Sequence, residues 1–232
     1  GGAEVLRASA SGTITLGGPP GSHVAEVAGA AGIVNRVLLS GGGTGGAVAV
    51  QAQGADANVS LALVAKGSGA LSAHLPDGSA AGGNPRGNNA VDWQQARNQP
   101  GQIASQANSV VAGGANNTAS GSNAVIGGGI SNQATQTSTV VAGGSTNLAN
   151  GSFAWVPGGL RADCRNVQGR GAWASGHFST TGDAQAGEHV LRVQTTNATA
   201  ARLTSDGSAP GSANTANLPN NGTYRLKLLV VA

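Results

Sequence analysis

Methionine is absent from the 232 residues, cysteine occurs once, and three tryptophans, two phenylalanines and one tyrosine are the only aromatics. Large apolar side chains normally dominate a core, because each one buried is worth roughly 1.5–3 kcal/mol. Their scarcity excludes a conventional compact monomer as the expected fold. Charge is scarce too, at 9%, which argues against the strongly charged class of disordered chain. The lone Cys164 excludes an intrachain disulfide and any thiolate metal site. No run reaches the ~18 consecutive apolar residues of a membrane helix. The chain does not open on a charged-then-apolar leader pattern, so the given segment is expected to be soluble. The net charge of +3 arises from 12 basic and 9 acidic side chains. Its densest basic group, Arg161, Arg165 and Arg170, encloses Asp163. Nucleic acid demands a more continuous basic footprint, so it is not expected as a partner.

Glycine is what the chain has in excess, 40 residues, and Ala, Ser, Asn and Thr fill much of the rest. The glycines keep no three-residue period, which excludes collagen. A backbone this rich in glycine loses much entropy on folding. Stability must therefore come from internal repetition and from partner chains.

The repetition is explicit. Four fifteen-residue units follow without gaps: ANSVVAGGANNTASG from Ala107, SNAVIGGGISNQATQ from Ser122, TSTVVAGGSTNLANG from Thr137 and SFAWVPGGLRADCRN from Ser152. Such a period signals a solenoid. The fourth column holds Val110, Val125, Val140 and Trp155; the fifth holds Val111, Ile126, Val141 and Val156. Adjacent strand residues face opposite ways, so each rung offers one apolar side chain to each face. One face can line the coil, and the other needs cover from a neighbouring copy. These eight residues are the expected core of roll and trimer. Columns seven and eight are Gly in every unit, which suits tight corners with positive φ. The eleventh column, Asn117, Asn132, Asn147 and then Ala162, suits a polar ladder. The thirteenth, Ala119, Ala134, Ala149 and Cys164, is small throughout and reads as the inward position of a second strand. The fold class predicted is all-β: four rungs of strand, Gly turn, short strand, turn.

Three regions are expected. Residues 1–88 form a β-rich shaft segment, in which VLRAS, TITL, HVAEV, NRVLLS, AVAVQAQ and VSLALVAK read as short strands between Gly-rich turns. Within it, the run Leu61–Val64 is expected to be core. Residues 89–168 form the β-roll, with NNAVDWQQARNQPGQIASQ as its upstream cap and Trp93 over the open end. Residues 169–232 form a C-terminal β segment with strands at HVLRVQTT and TYRLKLLVVA. An apolar strand ending at Ala232 leads one to expect that the protein continues beyond it.

The SVVAGG repeats, with Asn and Ala-Ser-Gly following, resemble the head of trimeric autotransporter adhesins. Over residues 55–225 the chain is more similar to a bacteriophage tail-fibre protein. The segments that carry this likeness are VSLALVAKGSGAL, RGNNAVDWQQAR, the repeats themselves and GDAQAGEHVLRVQTTNATAARLTSDG followed by LPNNGTYR. The resemblance implies a left-handed parallel β-roll in a homotrimeric fibre on the virion tail. It implies a role in host attachment and, as partners, two further copies, other tail or baseplate proteins and a host surface glycan or protein receptor. The alternative it implies is a bacterial surface adhesin.

No catalytic constellation emerges. His177, Asp183, Glu188 and His189 are the densest group of reactive types, but their spacing fits no ligand pattern. No serine sits in a nucleophile elbow, and the nine acids form no convincing pair for glycoside hydrolysis. Calcium-binding β-roll repeats need an Asp in each repeat, and Asp163 is the sole acid across the four units. An ice-binding Thr array is likewise confined to one rung, at Thr137 and Thr139. The expectation is a protein that is not an enzyme and takes no cofactor or metal. Trp173, His177 and Phe178 are candidate receptor contacts, since the scarce aromatics gather between Phe153 and Phe178; the alternative, which burial of large aromatics favours, is that Trp173 and Phe178 cap the roll.

Overall fold

The computed structural model describes residues 49–216 continuously, together with 14–17, 23–27, 35–40 and a few isolated positions. The expected strand VLRAS and most of TYRLKLLVVA lie outside the described residues. No helix occurs among the described residues. The chain divides into two compact units, 1–63 and 64–232.

The first unit contains two antiparallel pairs. Ile14–Gly17 pairs with His23–Val27, and Asn35–Ser40 pairs with Ala49–Gly54. The expected strand VSLALVAK does not form. Leu61, Leu63 and Val64 are all exposed, contrary to the core position read from their hydrophobicity. Among the described residues the apolar run has no strand to lie against, so hydrophobicity alone does not bury it.

The second unit is a parallel β-solenoid. Leu71–Ser72, Val91–Asp92, Val110–Val111, Val125–Ile126, Val140–Val141, Trp155–Val156 and Gly171–Ser175 stack in parallel, seven strands in one ladder. The repeat thus has about six steps rather than the four rungs visible as units. A second ladder joins Thr118–Ala119, Gln133–Ala134 and Leu148–Ala149. A third runs through single bridges at Ala96, Ala115, Ile130, Ser145 and Leu160. Partners in the four central rungs are fifteen residues apart, as in Val110↔Val125 and Val125↔Val140. At the downstream end Trp155 pairs with Gly171, so the segment that breaks the period still delivers a further rung. Beyond it, Gln185–Glu188 folds back antiparallel on Gly171–Ser175. The expected strand HVLRVQTT contributes only the bridge Arg192↔Thr204.

Corners are made where the backbone turns left-handed. Gly114, Gly129, Gly144 and Gly159, the eighth column, have φ between 81° and 101°. A Cβ on Gly114, Gly129 or Gly144 would run into the carbonyl oxygen of the glycine one rung on. Rung spacing, about 4.8 Å, leaves no room there for a side chain. The second column repeats the left-handed turn with side chains: Asn108, Asn123, Ser138 and Phe153 have φ between 55° and 60°. Asn tolerates this best. Here Asn89, Asn108 and Asn123 also link side chain to side chain, at 3.4 and 3.1 Å.

Candidate association surface and roll ends

The two apolar columns separate by face. Val111, Ile126, Val141 and Val156 are sealed inside the coil, packed with Ala124, Ala154, Ala119, Ala134, Ala149 and Cys164. Val110 and Val125 are half-buried on the outer face, and Val140 and Trp155 remain 39% and 41% exposed. A second outward column, Ala115, Ile130, Ser145 and Leu160, leaves Ile130 at 55%. A single copy therefore satisfies its interior and carries on its outside one apolar column and a second that alternates small or polar residues with Ile130 and Leu160. The inward choice has a steric cause. The facing column is Ala or Cys, the interior is thin, and an indole at Trp155 has no space there. Trp155 instead lies over Gly171, whose Cβ would stand 2.7 Å from the indole.

The interior is not wholly apolar. Asn117, Asn132 and Asn147 are buried and form a continuous ladder. The Asn132 amide nitrogen donates to Gly128 O at 3.0 Å and Gly144 O at 2.9 Å. Its Oδ1 accepts the backbone N–H of Asn147 at 3.0 Å. Asn117 and Asn147 repeat this pattern one rung either way. Upstream, Gln94 extends it: its Oε1 accepts from Asn117 N at 2.9 Å and its Nε2 donates to Asn117 O and Gln102 O.

Near the upstream end, one rung inside Leu71–Ser72, the interior is filled by charge, and Trp93 stands outward at 43% exposure rather than over the open end. Asp92 takes the fifth-column place of Val111 one rung earlier and is fully buried. Arg86 Nε meets its carboxylate at 2.8 Å and Arg97 Nη2 approaches to 3.7 Å. Arg97 also donates to the carbonyls of Ala81, Gln94 and Gln102. Burial pulls its guanidinium below the ordinary arginine value, and Asp92 opposes that pull. Sequence reading missed this cluster. The signal available was Asn-Ala-Val at 89–91 repeating Asn-Ala-Val at 123–125, which puts Asp92 in the inward column.

At the downstream end Cys164 Sγ points at the carbonyls of Trp155 and Arg170, at 3.7 and 3.5 Å. Burial pushes its thiol up to about 12. Trp173, on Gly171–Ser175, faces outward at 42% exposure, His177 is partly exposed, and Phe178 is 89% exposed. Phe178 is held out by a turn built on Asp183, whose carboxylate accepts the backbone N–H groups of Phe178, Ser179 and Thr180 at 2.9, 2.7 and 2.8 Å. These bonds, Thr180 foremost, hold the Asp183 carboxyl well below the usual range. Among the described residues, no three His, Cys, Asp or Glu side chains gather to hold a metal, and no helix is long and apolar enough to cross a membrane.

No protein-family model matches the chain, and neither a curated protein nor a solved structure is similar to it.

Proposed function

We propose that this chain is a structural protein of a virion, a segment of a homotrimeric phage tail fibre that takes part in attachment to the host cell. The supporting observation is the outward apolar column, together with exposed Ile130 and Leu160 in a second column, on a solenoid whose aliphatic interior is already buried. A threefold assembly is heterologous: each copy meets its two neighbours through two different patches. The column of Val110, Val125, Val140 and Trp155 and the column of Ile130 and Leu160 supply two such patches on one rigid coil. In this reading the coil winds left-handed, the roll is a rigid spacer, and the projecting Trp173, His177 and Phe178 meet a glycan or protein receptor. Tail or baseplate proteins hold the other parts of the fibre.

Sedimentation tests the assembly. The wild-type chain is expected to run as a trimer at micromolar concentration. Val140→Asp leaves the interior untouched and is expected to release folded single copies. A wild-type chain that stays single and folded sinks the proposal. Attachment is tested by competition: added trimer should block phage adsorption, and the Trp173→Ala trimer should block it less. Equal blocking by both removes Trp173 from the receptor surface. Gold labelling that marks a bacterial envelope instead of a tail would favour the surface-adhesin alternative.

A further inference from the structure

Two buried nitrogens at the downstream end of the roll, Arg170 Nε and His189 Nδ1, have no hydrogen-bond partner. Arg170 sits in the third column after Ala154, since Trp155 pairs with Gly171, and it is only 6% exposed. Neither Arg170 nor His189 has a carboxylate at ion-pair distance among the described residues. The acids at this end are engaged or exposed. Asp163 Oδ1 accepts the backbone N–H of Arg165 at 2.7 Å. The Asp183 carboxylate is taken by the turn that holds Phe178, and Glu188 is exposed. The remaining groups that can carry charge here, Arg161, Arg165 and the partly exposed His177, can only add positive charge.

The fold-back strand Gln185–Glu188 has its two ends held differently. Its first residue is clamped: Gln185 Oε1 accepts from Asp163 N at 2.7 Å, and its Nε2 donates to Asp163 O at 2.8 Å. Its other end is packed on charge. Gly187 rests on the guanidinium edge of Arg170, so closely that a Cβ there would stand 2.8 Å from Nη2, and His189 follows two residues on. An imidazolium carries hydrogens on both ring nitrogens. A hydrogen on Nδ1 would be a buried donor without an acceptor, in the field of an arginine whose own buried charge has no counter-charge. The closed arrangement therefore suits the neutral ring alone. Burial, and then the Arg170 charge, hold His189 below the ordinary histidine value.

We propose that His189 makes the closure of this strand pH-sensitive: neutral, it lets residues 187–189 lie against Arg170, and protonated, it drives that end of the strand off the sheet while Gln185 stays clamped. This device does not rest on the attachment reading. Because the folded-state value of His189 is depressed, closure is complete above about pH 6.5, where a free histidine titrates. It is lost as pH falls from there through the lowered value. One proton limits the change to about tenfold per pH unit. Hydrogen exchange of the full chain, read by mass spectrometry and corrected for the intrinsic effect of pH, follows a peptide covering residues 184–190. A peptide covering Val140–Val141 serves as the reference that shows the roll folded. Opening of the first peptide is expected to rise several-fold between about pH 6.5 and 5.5, with the reference unchanged. His189→Gln, which cannot titrate, should flatten that rise. A flat wild-type profile overturns the proposal, and so does an equal rise in His189→Gln.

Discussion

Asn132→Ala is the sharpest probe of what holds the coil together. The substitution removes three hydrogen bonds from a sealed position: two donated by Nδ2, to Gly128 O and Gly144 O, and one accepted by Oδ1 from Asn147 N. Gly144 O keeps the N–H of Ile130 at 3.0 Å, so it is not stranded. Asn147 N and Gly128 O have no such replacement. A buried donor left without a partner costs about 1–3 kcal/mol, and each further lost bond about 1 kcal/mol. The expected loss is therefore about 3–5 kcal/mol per chain. The neighbouring Gln133 is exposed, and Gln133→Ala should stay within about 0.5 kcal/mol of wild type. Asn132→Asp preserves shape and the acceptor, but it aims a carboxylate oxygen at two carbonyl oxygens and should be worse than Ala at neutral pH. Urea denaturation followed by circular dichroism, at one fixed chain concentration, reads all three. An Asn132→Ala loss below about 1 kcal/mol, or one equal to that of Gln133→Ala, would refute the ladder as a stabilising element.

Gly144→Ala, where φ is 88° and a Cβ meets the Gly159 carbonyl oxygen, is expected to prevent folding or lower the melting temperature sharply. Gly143→Ala, with nothing within 4 Å of its Cβ, is expected to be neutral or slightly stabilising on the same thermal scan. Cys164, with its thiol pushed up to about 12 by burial, should resist an aromatic disulfide reagent at pH 8 in the folded chain and react fully in urea. Because the folded-state value of Asp183 is depressed, the ordering it gives the 178–183 turn is present above the ordinary aspartate range. It is lost only as pH falls through the lowered value. Hydrogen exchange of the Ser179 and Thr180 amides should thus remain protected near pH 4 in the wild type, and protection should be absent in Asp183→Asn.

The parallel coil was legible because its determinants are local and repeat. Gly at every corner, small residues in the thirteenth column and Asn in the eleventh each state a steric or hydrogen-bonding need that any one rung displays and four rungs multiply. The face assignment was harder, since both the fourth and fifth columns are aliphatic in three units. The deciding residue was Trp155, too large for an interior walled by Ala and Cys. The outer rungs escaped notice for a different reason. Val91 precedes Val110 by nineteen residues and Gly171 follows Trp155 by sixteen. Insertions therefore hide the period while the hydrogen-bond ladder passes through them unbroken. Leu61–Val64 shows the converse. Its composition reads as core, yet burial depends on a partner surface that composition does not encode.

The two ends of the roll follow from the same constraint. A solenoid rung satisfies its backbone through the rungs above and below, so a terminal rung exposes groups that interior rungs never do. Upstream, one rung inside Leu71–Ser72, the inward valine is replaced by Asp92, and two arginines fold over it, with backbone carbonyls taking other guanidinium N–H groups of both. Charge is closed there by charge. Downstream, the inward column runs on from Val156 to the buried Ala172, and Arg170 stands two positions earlier, in the third column after Ala154, with no carboxylate at ion-pair distance among the described residues.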